Sequence, residues 1–283
     1  MEQAELLTLK ILSAKIRREV LRMLKWRKYG HLGGSMSIVE ILAVLYGRHM
    51  RYDPQNPQLN ERDYLVLSKG HSGAALYCTL AVLGYFDESW LYTLNEGGTR
   101  LPSHPDRNLT PGVDATTGSL GQGTSVAAGL GMAFRLENSD QYAYLIVGDG
   151  ELNEGQCWEA FQFIAARKLN HVIVLIDENK RQLDGYTCDI LNPFCLDDKM
   201  RAFGFHVQRV NGASEEAISD AIDAAKQVTD QAVCIVLDTI KGQGVPYFEK
   251  LTDNHSVKFG PKDNEAADQA IAELTRFIEG EGR

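Results

Sequence analysis

An aspartate between two glycines, followed about thirty residues later by an asparagine, is the sequence feature that most directly indicates chemistry. Gly148-Asp149-Gly150 follows an apolar run at residues 142–147, and Asn179 closely follows a second run at residues 172–176. If these runs are neighbouring parallel strands joined by a crossover helix, their carboxyl ends lie side by side. Asp149 and Asn179 can then reach the same ion.

The residue types at this position are those that bind Mg²⁺ and a diphosphate. Mg²⁺ takes oxygen ligands, usually one or two carboxylates together with phosphate oxygens. Asp149, the amide oxygen of Asn179 and a backbone carbonyl near Arg181 would leave positions open for a diphosphate. A Gly-Asp-Gly sequence alone is often only a turn, but the segments at residues 151–155 and 177–180 favour the metal site.

Three of the seven histidines lie in loops marked by glycine or proline. They are His31 in Gly30-His31-Leu32-Gly33-Gly34, His71 in Lys69-Gly70-His71-Ser72-Gly73, and His104 in Ser103-His104-Pro105. A lone histidine in a loop is usually only solvated. Near a diphosphate, however, neutral imidazoles can donate hydrogen bonds and carry protons close to neutral pH. We therefore predict that these three histidines share the site.

Short apolar runs alternating with helical stretches predict the fold class. The runs at residues 64–67, 142–147, 172–176 and 234–237 indicate buried parallel strands, and residues 157–169 and 215–226 indicate helices between them. This alternation predicts an α/β fold, a doubly wound and mostly parallel sheet with helices on both faces. In such sheets ligands bind beyond the carboxyl ends of the strands.

The N-terminal segment predicts two further helices. Apolar residues recur at three- and four-residue spacing up to Leu24, which indicates a first helix that ends near Gly30. Ser37-x-x-Glu40 has the pattern of a capping box, so a second helix is predicted to begin around Ser37. Residues 30–34 are predicted to form the loop between the two helices.

Composition excludes several classes of protein. A net charge of −9 and a pI near 5.3 argue against a nucleic-acid surface. Five cysteines without a CxxC pair indicate reduced thiols, and no apolar run reaches the roughly 20 residues that span a bilayer. With no signal-peptide pattern at the N-terminus, we predict a cytoplasmic protein without membrane contact. Since no linker divides the chain, we predict one domain over residues 1–283 with peripheral N- and C-terminal helices.

Seven segments together resemble the cofactor-binding half of transketolases. In order they are GHLGGSMS, YLVLSKGHSGAALY, LPSHPD, TTGSLGQGTSVAAGLGMA, GDGELNEGQCWEA, DENKRQLDG and TIKGQGV. The resemblance runs from about residue 10 to residue 250 and includes the Gly-Asp-Gly and asparagine pattern of thiamine diphosphate enzymes. It implies a thiamine diphosphate-binding fold, with this chain as the diphosphate-binding domain.

The resemblance implies a role for each residue of the site. Metal ligands would be Asp149, Asn179 and the carbonyl of Arg181, with His31, His71, His104 and Glu154 as catalytic residues. Contacts to thiamine diphosphate would come from His71, Gly118, Leu120, Gly150, Glu154, Asn179 and His255. Of these, His31 and His104 would hold substrate hydroxyls, Gly118 and Leu120 would touch the aminopyrimidine, and Glu154 would cross a subunit interface. Three departures from the family pattern are Ser119 in place of proline, Arg181 in place of a commoner apolar residue, and the absence of His-Gly around His255.

The implied activity is that of the N-terminal subunit of a split transketolase. Such an enzyme transfers a two-carbon ketol unit from a ketose phosphate to an aldose phosphate, with thiamine diphosphate and Mg²⁺, or Ca²⁺ or Mn²⁺, as cofactors. The glutamate that activates the coenzyme belongs, in the family, to a pyrimidine-binding domain that no segment of this chain resembles. We therefore expect the partner to be a C-terminal transketolase subunit, in an α2β2 heterotetramer.

Three other functions stay open from the sequence. The α-subunit of a 2-oxo acid dehydrogenase carries the same Gly-Asp-Gly motif, although the three histidine loops fit sugar chemistry better. Deoxyxylulose-phosphate synthase is a nearer competitor, but it generally lacks the Gly-Glu-x-x-Glu-Gly found at residues 150–155. A protein with an assembly role and no catalysis would keep the fold without needing the intact Asp149, Asn179 and histidines.

Overall fold

The computed structural model describes residues 1–281, and a five-stranded parallel sheet forms its centre. The order of strands across this sheet is β2-β3-β4-β6-β5, and a separate two-stranded ribbon pairs β1 with β7. The strands are β1 Tyr29–Gly30, β2 Tyr64–Leu67, β3 Ala143–Gly148, β4 Val172–Glu178, β5 Phe205–Asn211, β6 Ala232–Asp238 and β7 Val257–Lys258.

Eleven α-helices lie among these strands in the described residues. They are α1 Gln3–Arg27, α2 Leu32–Met36, α3 Val39–Val44, α4 Gly73–Val82, α5 Gln122–Glu137, α6 Gly155–Ala166, α7 Thr187–Ile190, α8 Leu196–Ala202, α9 Glu215–Lys226, α10 Pro246–Lys250 and α11 Pro261–Glu281. Short 3₁₀ turns at Gly70–Ser72 and Gly150–Asn153 connect β2 to α4 and β3 to α6. No helix among residues 1–281 combines the length and the apolar character needed to cross a membrane.

Alternate residues of each strand face two separate cores, which confirms the doubly wound arrangement. Tyr144 and Ile146 of β3 pack into a core shared with α1, α3, α4 and α9. Leu145 and Val147 of the same strand pack on the other face, against α5, α6 and α8. Strands buried on both faces need continuous apolar sequence, and this is why four of the five were visible as apolar runs.

The predicted elements differ from the observed ones in two places. The fifth strand, β5, was missed because it is an edge strand in which only Phe205 is buried and the other residues are partly or fully exposed, so it carries no continuous apolar run. The helix predicted to begin around Ser37 is α3, which begins two residues later, but the predicted capping box was wrong. Residues 32–36 already form α2, where a loop was expected, and α3 begins after Ile38. The Ser37 hydroxyl does not cap a helix but donates to Asp177 at 2.7 Å, a tertiary contact that outweighs the local pattern.

Strand register brings the predicted chemistry to one edge of the molecule. Gly148 at the end of β3 lies beside Asp177 near the end of β4, so the Gly-Asp-Gly turn and the segment that carries Asn179 are neighbours. The β1–β7 ribbon pairs Gly30 with Val257. The ribbon thereby holds together the segments that carry His31, next to β1, and His255, just before β7.

Candidate active site

Asp149 and Asn179 lie together at the carboxyl ends of β3 and β4. Asp149 is buried, and its two oxygens accept backbone N–H groups of Gly150 at 2.8 Å and Lys180 at 2.6 Å. The Asn179 amide nitrogen donates to Asp177 at 2.9 Å, which fixes the rotamer and leaves its oxygen beside the N–H of Arg181. The adjacency predicted from the sequence is present.

The electrostatics of Asp149 fit a cation at this position. Burial, together with the negative charge of Asp177, raises the pKa of Asp149 to about 7. A divalent cation would offset both effects. Its protein ligands would be one carboxylate, one amide oxygen and the carbonyl of Arg181, the hard oxygen donors that Mg²⁺ prefers. Within residues 1–281 no three His, Cys, Asp or Glu side chains converge on a metal-sized site, so an ion here would depend on this mixed set.

Four histidines converge opposite this edge. The ring of His31 lies 5.8 Å from that of His71, 5.7 Å from that of His104 and 5.3 Å from that of His255, measured between ring centroids. His71 and His255 are 4.9 Å apart. His31 precedes α2 and His255 precedes β7, so the β1–β7 ribbon sets their spacing.

Three histidines of this cluster are held in the neutral form. Burial lowers the pKa of His31, and the electrostatic effects of the neighbouring His104 and Lys241 lower it further. The pKa of His71 is lowered well below its usual value by burial and by Lys69, and that of His255 falls to about 3 because of burial and Lys241. Neutral imidazoles can donate one hydrogen bond and accept another, which suits them to sugar hydroxyls and proton movement.

Lys241 is a site residue that the sequence reasoning missed. Its ammonium is buried and lies 3.2 Å from the Gln182 carbonyl, 3.4 Å from the Arg181 carbonyl and 3.1 Å from His255. Burial and the charge of Lys69 lower its pKa to about 8. No carboxylate is among these partners in the described residues, so the ammonium is available to an anion. Its position in TIKGQGV was the available signal.

A buried ion pair under the site was also missed. Lys69 and Asp177 are both almost fully buried, and the Lys69 ammonium lies 2.5 Å from an oxygen of Asp177. Hydroxyls of Ser37 and Thr239 also donate to Asp177. Despite its burial, the pKa of Asp177 is lowered by Lys69 and these donors. The ionised carboxylate in turn holds the amide of Asn179.

The side chain of Arg181 holds the metal-site loop in place. Its guanidinium donates to the carbonyls of Leu251 and Thr252 and to the hydroxyl of Tyr186, over whose ring it lies. The segment with the candidate carbonyl ligand is thus tied to the segment that leads to His255. The side chain points away from the ion position, which is compatible with a role for the backbone oxygen alone.

A cavity of about 340 Å³ joins these groups, and every predicted site residue lines it. Gly118, Leu120 and Glu154 also line this cavity. Gly118 needs to be glycine because its φ of 142° is unfavourable for other residues and a Cβ would lie 3.0 Å from His104. A larger groove of about 830 Å³ lies between α1 and α11, and its lining includes none of the predicted site residues.

Comparison with known proteins identifies the family of this chain. Residues 10–272 match the family model described as the thiamine diphosphate binding domain of transketolase. The chain belongs to the transketolase family. It is 49% identical over 248 residues to a 6-deoxy-6-sulfo-D-fructose transketolase subunit, SqwG, of Clostridium sp. (strain MSTE9), which covers 87% of this chain and 89% of the relative. It is 39% identical to an apulose-4-phosphate transketolase subunit of Actinobacillus succinogenes, covering 87% of each protein.

Solved transketolases share the fold but are about twice as long. The transketolase from Leishmania mexicana superposes with a TM-score of 0.84 at 30% identity, covering 97% of this chain and 45% of that one. The chain thus corresponds to somewhat less than half of such a transketolase, the part that the family description assigns to thiamine diphosphate. The prediction of a transketolase-type α/β fold is confirmed.

Proposed function

We propose that this chain is the N-terminal subunit of a two-subunit transketolase that transfers a two-carbon ketol unit between sugar phosphates. The observation that carries the proposal is a single cavity that is lined both by the candidate oxygen ligands Asp149, Asn179 and Arg181 and by four clustered histidines. Family membership supports thiamine diphosphate as the coenzyme. The division into subunits is supported by two relatives of similar length that are themselves named as subunits.

The edge formed by β3 and β4 would hold the metal and the diphosphate. We assign Mg²⁺, or Ca²⁺ or Mn²⁺ in its place, to Asp149, the Asn179 amide oxygen and the Arg181 carbonyl. The diphosphate would lie against the backbone of Gly150, the Lys241 ammonium and the imidazoles of His71 and His255. The bound cation would offset the buried negative charge of Asp149, and the diphosphate would offset the buried positive charge of Lys241.

The histidines would act on the sugar. When bound, thiamine diphosphate supplies the electron sink that carbon–carbon cleavage next to a carbonyl requires. His31 and His104 would orient the substrate hydroxyls, and with His71 they would accept or donate a proton at the reacting oxygen. The lowered pKa values of His31 and His71 keep these two rings neutral, so they can accept as well as donate.

The wall of Gly118, Leu120 and Glu154 would face the partner. Glu154 is exposed beside the cavity, which suits an acid that reaches across an interface towards the activating glutamate of a C-terminal subunit. We propose an α2β2 heterotetramer in which residues 1–283 supply one diphosphate-binding domain per site. The enzyme would serve cytoplasmic carbohydrate metabolism, including exchange among pentose phosphates.

The identity of the sugar would depend largely on the partner. Relatives are named for 6-deoxy-6-sulfo-D-fructose and for apulose 4-phosphate, two ketoses that carry an anionic end. Lys69 and Arg181, two of the basic side chains lining this cavity, are committed to Asp177 and to backbone carbonyls. For this reason we assign recognition of the anionic end of the substrate to the C-terminal subunit.

Replacement of Asp149 tests the metal-dependent binding of the coenzyme. In the complex with a C-terminal transketolase subunit, Asp149→Ala should weaken Mg²⁺-dependent uptake of thiamine diphosphate by about 100-fold or more, because it removes the only carboxylate assigned to the ion. Isothermal titration calorimetry with and without EDTA measures this. The exposed Asp198 serves as the control, and Asp198→Ala should bind the coenzyme normally.

Two outcomes would contradict the proposal. Equal affinity for the coenzyme in both variants would show that Asp149 is not a metal ligand. Turnover of pyruvate in place of ketose phosphates would favour a different thiamine diphosphate enzyme.

A further inference from the structure

Glu151 is a buried acid in the cavity wall to which neither the metal site nor the histidine cluster gives a role. It follows directly after Gly150, and its side chain is almost completely buried at 3% exposure. A buried carboxylate destabilises the fold unless its oxygens accept hydrogen bonds. The partners of Glu151 therefore indicate why it is there.

Three different segments of the cavity wall donate to this one carboxylate. The hydroxyl of Ser68 donates to Oε1 at 2.5 Å, and the backbone N–H of Gly121 donates to the same oxygen at 2.8 Å. The backbone N–H of Gly148 donates to Oε2 at 3.1 Å. Each oxygen is engaged, so Glu151 is directed into the wall rather than towards a ligand.

The three donors belong to the three segments that present the cofactor contacts. Ser68 directly follows β2 and precedes the turn with His71, while Gly121 ends the loop with Gly118 and Leu120. Gly148 begins the turn with Asp149 and Gly150. These segments lie 53 and 27 residues apart along the chain, counted from Ser68 to Gly121 and from Gly121 to Gly148. In the described residues they meet at Glu151.

We propose that Glu151 is a positioning residue, which sets the relative placement of the aminopyrimidine loop, the His71 turn and the diphosphate turn. The inference rests on the proposed function, because the groups it aligns are those assigned to thiamine diphosphate. Partners of this kind, which orient the contacting groups without touching the ligand, commonly change affinity 10- to 100-fold when they are replaced.

Glu151→Gln tests the role with little change in volume. Glutamine has one acceptor oxygen and one NH₂ group, so it can replace only one of the two carboxylate oxygens as an acceptor. In either orientation its NH₂ group would point at one or more of the three donors, and that hydrogen bond would be lost. With saturating Mg²⁺ and a C-terminal subunit present, we expect the Kd for thiamine diphosphate to rise about 10- to 100-fold. Hydrogen exchange without coenzyme should become faster at the amides of Gly121 and Gly148.

A buried glutamate outside the cavity supplies the matched control. Glu19 on α1 is 2% exposed and accepts hydrogen bonds from Arg18 and Arg22. Glu19→Gln should leave the Kd within about twofold of the wild-type value and should not alter exchange at Gly121 or Gly148. A general loss of stability would affect both variants, whereas a positioning role affects only Glu151→Gln.

A second variant keeps the test decisive if Glu151→Gln does not fold. Ser68→Ala removes one donor and retains the two backbone donors, so we expect a smaller rise in Kd, about three- to tenfold. Wild-type affinity in every folded variant, with Asp149→Ala still defective, would overturn this inference and leave the proposed function intact. A wild-type complex that takes up no thiamine diphosphate would overturn both.

Discussion

The proton affinity of Asp149 ties the stability of the ligand-free fold to pH. Its pKa is raised from 3.8 to about 7 by burial and by Asp177. An acid with a raised pKa in the folded state holds its proton more tightly there than when unfolded. This difference in pKa stabilises the folded state fully at pH values below the unfolded pKa of 3.8. The contribution to the free energy of unfolding is then lost as pH rises from about 4 to about 7.

Asp149→Asn should remove this pH dependence. Without divalent cation, we expect the variant to gain stability relative to the wild type between pH 5 and pH 8, by about 1.4 kcal/mol for each pKa unit of the shift. Urea unfolding in EDTA at several pH values measures the difference. Added Mg²⁺ should favour the wild type because only its carboxylate binds the ion well. Parallel stability curves for the two proteins in EDTA would contradict the raised pKa.

At the residue scale, the sequence predicted groups that carry local signatures and missed those that act through distant contacts. Gly-Asp-Gly after an apolar run marks Asp149, and glycine- or proline-marked loops mark three histidines. Lys69 and Asp177 carry no such mark, since their pairing joins residues 108 positions apart. Only the folded sheet brings the ends of β2 and β4 close enough for this ion pair to form.

At the scale of elements, the glycines of α5 divide into two kinds. From the sequence, Gly121, Gly123, Gly129 and Gly131 could all serve close helix packing. In the structure a Cβ on Gly131 would lie 2.3 Å from the side chain of Val172, so the helix rests directly on the start of β4. A Cβ on Gly129 would meet nothing within 4 Å. Packing therefore requires glycine at position 131 and does not require it at position 129.

Alanine at these two positions should have opposite effects on stability. Gly131→Ala should destabilise the chain by about 1–3 kcal/mol, because the added methyl group clashes with Val172. Gly129→Ala lies in the same helix and should be neutral or stabilising by up to about 1 kcal/mol, since alanine favours the helix. Chemical denaturation of the isolated chain measures both. Similar losses in the two variants would contradict the packing of α5 against β4.

The sequence predicted element boundaries well where a whole element is buried. It predicted them poorly where tertiary contacts engage the side chains that would otherwise cap a helix. β2 was predicted at its observed bounds because a strand covered on both faces is apolar throughout. The expected capping box failed since both of its polar residues have other partners. Ser37 donates to Asp177, and Glu40 binds Arg17 at 2.6 Å and Gln243 at 2.9 Å. Such long-range partners are not visible in a local pattern.

At the scale of the whole molecule, large apolar side chains are exposed at the cavity and elsewhere on the surface. Leu183 lines the cavity and is 65% exposed, and Phe194 farther along the same segment is 74% exposed. Val126 on α5 is also exposed, at 42%. Large apolar groups beside a binding cavity are typical of surfaces that another protein covers. The exposure of Leu183 at the cavity is compatible with a partner subunit that covers this side of the site.

The isolated chain should consequently lack ketol-transfer activity. With thiamine diphosphate, Mg²⁺ and a ketose phosphate donor, we expect turnover to be lower than in the complex by at least about 10²- to 10⁴-fold, the usual contribution of one acid–base group, here the partner's activating glutamate. Light scattering of the reconstituted enzyme should give the mass of two copies of each subunit. Leu183→Asp and Phe194→Asp should weaken assembly without unfolding the chain, because both side chains are already in water. Full turnover by the chain alone would show that the catalytic groups needed to activate the coenzyme all lie within these 283 residues.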